Sequence, residues 1–365
     1  MLQSFISMGL ISVVWIVVGF SLAFGDTIWG IVGDPRTFFM FKGVLDGKPW
    51  SLAPTIPLAL FAFFQLKFAI ITPALISGTF SERIKFESYI LFITLFCIFI
   101  YAPLAHMTWH PEGYLFNLGV LDFAGGTVVH MSAGLAALAA SIYLKGDKGS
   151  DPHAPANIPF VLLGTGLLWF GWFGFNAGSS VGSGSLAVSA FAATNTASAA
   201  AGLAWVLFDV VKGKKPSALG FCIGAVVGLV AITPACGFVT IPSALAIGVI
   251  ASLVSNLVVA WKAKSNLHDT LDVFPCHGVG GIMGMILTGV FANTAVNSAN
   301  ATGNGLLFGE TKLFVTHIMA LIIVSAFAFI GSFVLLWFTD LISPLKVSEE
   351  EFKMGLDLSQ HGENL

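Results

Sequence analysis

Apolar runs long enough to cross a bilayer recur along this chain from its first residues almost to its last, and they leave few folds open. A hydrocarbon core about 30 Å thick needs about 20 apolar residues in a helix, and it offers no partner to an unpaired backbone group. Windows of that kind lie near 5–25, 53–78, 88–105, 121–144, 158–177, 186–209, 217–233, 241–261, 273–292 and 313–339. The expectation is an all-α integral membrane protein with ten transmembrane helices, a membrane domain over 1–340 and a tail over 341–365. Charge agrees. Only 10% of residues are charged, where a soluble domain carries about 25%, so most of the exterior must face lipid. A net charge of −3 gives no reason to expect nucleic acid or an acidic partner.

The opening Met1-Leu2-Gln3-Ser4 has no basic region, and its apolar run continues to Gly25 without a small-residue cleavage pattern. It reads as a retained span. Cys97, Cys222, Cys236 and Cys276 lie in or beside apolar stretches with no CxxC pair, which suits small core residues. Small residues abound inside the spans, as from Ala192 to Ala199, and let helices approach closely where lipid supplies no hydrophobic drive.

Basic residues orient the bundle. Arg83, Lys85, Lys145, Lys148, Lys212, Lys214, Lys215, Lys262, Lys264, Lys346 and Lys353 fall on alternate loops and the tail. Opposite them stand only Arg36, Lys42, Lys48 and Lys312, with Lys67 inside a span. That bias places the tail in the cytoplasm, and an even number of spans puts Met1 there too.

Two spans echo each other. His130 and His277 are each followed four residues later by a glycine, Gly134 and Gly281, and each preceded by an aspartate, Asp122 and Asp272. Matching polar residues in paired halves point to a transport site at a repeat interface. Two histidines in apolar helices also fit a packing pair joined by a hydrogen bond, or the axial ligands of one haem. Lining a pore is the third reading, because imidazole can take a proton or hydrogen bond from a small amine. Aromatics fall on shared faces as well: Phe64 with Phe68, and Trp172 with Phe175 and Ser179. Such stripes are commonly core or lipid-facing, yet a cage of Trp and Phe faces suits a small cation. Asp122 stands at a helix start, where a carboxylate caps free N–H groups.

Several segments together resemble the Amt ammonium transporters. They are Asp122-Phe-Ala-Gly-Gly-Thr-Val-Val-His130, Gly171-Trp-Phe-Gly-Phe-Asn-Ala-Gly-Ser179, Thr233-Pro-Ala-Cys-Gly237, Asp272-Val-Phe-Pro-Cys-His277 and the tail Gly355-Leu-Asp-Leu-Ser-Gln-His-Gly-Glu-Asn364. The resemblance implies a homotrimer in the cell (inner) membrane, with one pore per protomer between two inverted five-helix halves. It implies an outer ammonium site at Phe64, Trp109 and Ser179, a gate of Phe68 and Phe175, and a pore lined by His130, His277 and Trp172. Asp122 resembles the family's structural aspartate. A PII-type (GlnK-like) regulatory protein is the implied partner at the cytoplasmic face, and no cofactor is expected. An ammonium sensor acting through a signalling partner is the alternative. No nucleophile–base pair, phosphate loop or metal cluster suggests an enzyme. Two departures stand out. The family pattern has eleven spans, and Met1 falls where its second begins, as a late start, a fragment or a ten-span variant would each explain. Lys67, beside Phe68, stands where the family usually has a small or uncharged residue; it points about 100° away from Phe68 on a helix, free to extend outward or meet a neighbouring subunit.

Overall fold

The computed structural model describes residues 2–144, 155, 157–300 and 302–363. Met1, Lys145, Lys148, Asn364 and Leu365 lie outside the described residues. Every expected span corresponds to a helix: α1 Leu2–Phe24, α2 Leu58–Phe80, α3 Phe86–Phe96 continued to Trp109, α4 Gly126–Leu144, α5 Ile158–Gly178, α6 Ser185–Val211, α7 Ala218–Ile232, α8 Ile241–Lys262, α9 Phe274–Phe291 and α10 Lys312–Ile342. Nine of these, among the described residues, are long and apolar enough to cross a membrane. The exception is α7, with 15 residues. It fills the expected 217–233 to within one residue at each end, and it stops at Ile232 because Pro234 has no N–H to extend the ladder and the chain folds into a turn through Phe238. At the start of α2 the expected boundary shifts. Pro57 is itself extended, at φ −60 and ψ 146, and disfavours helix in the residue before it, so the helix begins at Leu58. A two-stranded hairpin, Thr27–Ile28 with Val32–Gly33, is confined to the loop after α1.

The alternate loops gather on two sides. The tail side carries Gln3 near the start of α1, Arg83 to Lys85, the loop after α8 and the tail; the far side carries Trp50, Trp109, Asp122 and Ser179. Buried apolar side chains form two main clusters. One joins α1 to α4 with α10, and the other joins α6 to α9. At their junction α4 and α9 cross in opposite directions. A Cβ on Gly134 would fall inside the backbone of Gly278, and one on Gly281 would meet the Gly126 carbonyl at 3.0 Å. The contact is reciprocal: each histidine-bearing helix presses its glycine into the other's first turns. Both helices open with a wide π turn, Gly126–Met131 and Phe274–Val279, and each turn carries a histidine.

The exterior is apolar, as expected of a lipid-facing surface, with Phe160, Leu167 and Phe170 of α5 exposed. Lys67 is exposed on α2, on the face that carries Leu60 and Phe63, and it has no ion-pair partner among the described residues. All four cysteines are buried and free. The tail folds back under the bundle through two short helices, α11 Glu349–Met354 and α12 Leu356–His361. Ser348 and Glu351 form a reciprocal cap on α11, and the Ser348 N–H holds the Glu351 carboxyl below its ordinary value. The Lys85 N–H donates to the Leu345 carbonyl at 2.8 Å, the Phe86 N–H donates to Gln360 Oε1 at 2.9 Å, and His361 meets the Phe86 ring edge-on.

The crossing makes a direct prediction. Gly134→Val overfills a backbone contact, at a cost of about 1–3 kcal/mol or more. The purified protein should melt at a clearly lower temperature. Gly174→Ala, at a position with nothing within 4 Å, should leave the melt unchanged. Equal melting of Gly134→Val and the parent would contradict so close a crossing.

Candidate functional site

Two imidazoles hold the centre. His130 and His277 are both buried, and their Nδ1 atoms share a hydrogen bond of 3.3 Å. Such a bond needs one nitrogen to donate and the other to accept, so the two neutral rings take opposite tautomers. The rings meet edge to edge through that bond, with centroids 5.3 Å apart and planes at 26°, and leave no gap for a porphyrin. The haem reading therefore fails on geometry. Nε2 of His130 is enclosed and has no hydrogen-bond partner among the described residues.

The Trp172 ring lies nearly parallel to that of His130, at 5.3 Å and 17°. Its indole N–H donates to Thr233 Oγ1 at 3.0 Å, and the Thr233 hydroxyl donates in turn to the Leu229 carbonyl at 2.7 Å. The indole donor is thus spent on the wall, and the ring presents its face to His130. Toward the far side, Phe175 lies 6.1 Å from His130, and Phe68 packs on Phe175 at 4.2 Å. Phe68 is buried, and it meets Trp109 edge-on at 5.7 Å and Phe64 at 4.9 Å. One unbroken aromatic sequence leads from the far side to the histidines.

Beyond Phe68 opens a cavity of about 420 Å³ whose wall includes Trp109, Ser179 and Asp122. Trp109 donates its indole N–H to the Asp122 carbonyl at 2.9 Å, so only its face is free. Ser179 donates its hydroxyl to the Phe175 carbonyl at 2.9 Å, which leaves the oxygen's lone pairs to accept. The Phe64 ring packs edge-on against Phe68 and lies beside Gly178, one residue from Ser179. The structure thus brings the expected site residues together, with Trp109, Asp122 and Ser179 in the cavity wall and Phe64 in contact with Phe68 rather than in that wall.

Asp122 is a cap in full. Its carboxylate accepts from the N–H groups of Gly125 at 2.8 Å and Gly126 and Thr127 at 2.7 Å, and from the Thr127 hydroxyl. Gly125 at φ +116 makes the turn that aims those donors inward, a conformation that a side chain would strain. The counterpart on α9 is Asp269, rather than the Asp272 of the sequence echo. Asp269 accepts from the Phe274 N–H at 2.8 Å and from the Thr79 hydroxyl at 2.6 Å, and stands eight residues before His277 as Asp122 stands eight before His130. Asp272 instead pairs with Lys262 at 2.6 Å. The equal spacing of the two capping aspartates was the signal available in the sequence. Gln65 and Thr108, both in the cavity wall, gave no such signal, since a lone polar residue in an apolar helix has no spacing to read.

Comparison with known proteins agrees in sequence and in fold. A family model described as the Ammonium Transporter Family matches residues 1–365. A putative ammonium transporter of Methanothermobacter thermautotrophicus is 44% identical over 361 residues, which is 99% of this chain and 88% of that one. An ammonium transporter of Bacillus subtilis is 43% identical over 365 residues, again 99% and 88%. The crystal structure of Saccharomyces cerevisiae Mep2 superposes with a TM-score of 0.88 at 33% identity, covering 95% of this chain and 79% of that one. A structure titled Sensor Amt Protein gives 0.88 at 28% identity, covering 99% and 89%.

Proposed function

The chain belongs to the ammonium transporter family, a family of transport rather than catalysis, and on that premise we propose how its own residues would pass ammonium or ammonia. The observation that supports the path is the unbroken run from the far-side cavity, past Phe68 and Phe175, to the paired imidazoles. Ammonium exchanges water for the faces of Trp109 and Phe64 and for the Ser179 oxygen. Past the phenylalanines the surroundings are apolar, and burial lowers the pKa of any amine. Deprotonation becomes favourable there, and neutral ammonia moves along the imidazoles, which offer one nitrogen that donates and one that accepts. Potassium has no proton to lose and stays barred by its own desolvation cost. Asp122 supports the outer site as a cap and does not carry the proton.

The far side is the outer face and the tail is cytoplasmic, since the described basic loops cluster on the tail side. The cell (inner) membrane and a homotrimer with one pore per protomer complete the reading. An ammonium sensor is the second reading, favoured by the likeness to the Sensor Amt Protein. Transport separates the two, because a sensor alone need not move charge.

Replacing either histidine tests the pore. His130→Ala and His277→Ala should each reduce ammonium-driven current in proteoliposomes or abolish its selectivity over potassium. Wild-type current and selectivity in both variants would return the histidines to a packing role.

The outer site has its own signature. Trp109→Leu keeps an apolar side chain and deletes the π surface, a loss of about 2 kcal/mol or roughly thirtyfold in apparent affinity. Half-saturating ammonium should rise by that factor and methylammonium should enter more freely. Ser179→Ala should weaken binding less, by about 1 kcal/mol. A Trp109→Leu protein with parental half-saturation and methylammonium uptake would show the site wrongly placed.

Regulation would act from the tail side. A PII-type (GlnK-like) protein should be retained by the immobilised transporter, and deleting residues 346–365 should lower transport. No retention together with full activity of the deletion would remove that reading.

A further inference from the structure

Two buried oxygens in the wall of the outer cavity have no partner. Gln65 of α2 and Thr108 of α3 are 8% and 2% exposed, and both belong to the wall that also holds Trp109 and Ser179. The Gln65 Oε1 and Thr108 Oγ1 atoms make no hydrogen bond with any described residue. Thr108 could have turned its hydroxyl back onto its own helix, as Thr72, Thr94, Thr233 and Thr288 all do toward the carbonyl four residues before, but it does not. An enclosed polar oxygen left unpaired is costly, so such a group calls for a partner that the protein itself does not supply.

Their position says which partner. Gln65 lies three residues before Phe68 on α2, which places it about 4.5 Å toward the outer face of the gate. Thr108 immediately precedes Trp109, whose ring meets Phe68 edge-on. The two residues therefore stand on the two helices that join at the Phe68–Trp109 contact, both in the wall of the cavity beyond it. Across the cavity Ser179 offers a third oxygen whose own hydrogen is already committed to Phe175. The Gln65 amide is held by no described residue, so it can turn either of its ends to the cavity. Oxygen acceptors beside an aromatic face suit a small cation rich in N–H donors, and not an anion or an apolar guest.

We propose that Gln65 and Thr108 form the deeper half of the outer cation site, a pair of acceptors that takes N–H bonds from ammonium as it gives up water just above Phe68. The inference rests on the transport reading for its substrate and adds two binding residues to it. Its consequence is specificity. Ammonium has four N–H groups to share among the oxygens and the Trp109 face, whereas methylammonium has three and a methyl group. A site with several acceptors penalises each lost N–H, because the unmatched oxygen stays unpaired.

The test uses purified full-length protein in two parallel measurements. In proteoliposomes, current is recorded against ammonium and against methylammonium at fixed pH for the parent, Gln65→Leu, Thr108→Val and Gln65→Glu. Gln65→Leu and Thr108→Val should each raise half-saturating ammonium about tenfold, the size of one hydrogen bond to a charged group, with maximal current changed little. Methylammonium should shift less, so the preference for ammonium over it should fall. Gln65→Glu should bind ammonium more tightly than the parent. In detergent, the same proteins are titrated with ammonium chloride while tryptophan fluorescence is followed, which reads binding without transport. Thr108→Val conserves shape, so it decides the matter even where Gln65→Leu fails to fold. Parental half-saturation and parental preference in the Leu and Val variants would overturn the inference. A parent that binds but carries no current would instead overturn the transport reading and leave the acceptor pair to be judged by its own titrations. A parent that neither binds nor carries ammonium would overturn both.

Discussion

Everything in the centre of this molecule depends on the backbone contact between α4 and α9. Gly134 and Gly278 touch with no side chain between them, and Gly281 closes on Gly126 one turn away. Only that approach brings two imidazoles within 3.3 Å of each other from helices that run in opposite directions. Small residues are the price a lipid-embedded bundle sets for such contact, since packing and hydrogen bonds must replace a hydrophobic drive. The crossing also explains why histidine is tolerated so deep. Each ring satisfies one nitrogen on the other, and a pair bonded in this way needs no charge, which avoids the heavy cost of burying one.

Around the crossing the two halves repeat a design in opposite senses. Asp122 caps the start of α4 from the far side, and Asp269 caps the start of α9 from the tail side. Each cap fixes a wide turn that carries a histidine. On the tail side Arg83 bonds the carbonyls of Thr79 and His268, next to Asp269, so the cap of α9 is tied to the loop that also holds Leu345 and Lys346 of the tail. On the far side the path is graded in polarity. Oxygen acceptors and an indole face come first, then two stacked phenylalanines, then the imidazoles. In the proposed mechanism this gradation lets a hydrated cation lose water in steps, each met by a group that replaces part of it.

Hydropathy alone located the helices, because lipid forces apolar residues to the outside as well as the inside of each span. Even the short α7 was bounded to within a residue, because the turn at Pro234 also ends its apolar run. The histidine pairing was legible in the echo of His130 and His277, and the placement of the aromatic residues followed from the family resemblance. The partner aspartate was misread, because Asp272 is nearer in sequence while Asp269 has the matching eight-residue spacing and the capping bonds. Lys67 turned outward as its position on the helix required, and nothing described in the chain pairs with it. Gln65 and Thr108 stayed hidden. What sets them apart is what they fail to bond, and only a packed structure reveals an unpaired atom.

In the proposed mechanism a proton-bearing cation passes a path that a bare cation cannot. The most direct measurement is charge movement in proteoliposomes on rapid addition of ammonium, compared with the same concentration of potassium, at fixed pH and membrane potential. Ammonium should evoke a saturable current, and potassium should evoke none and should not abolish the ammonium response. Equal currents from the two ions would contradict the account, since a path that admits potassium does not depend on an ion's ability to give up a proton.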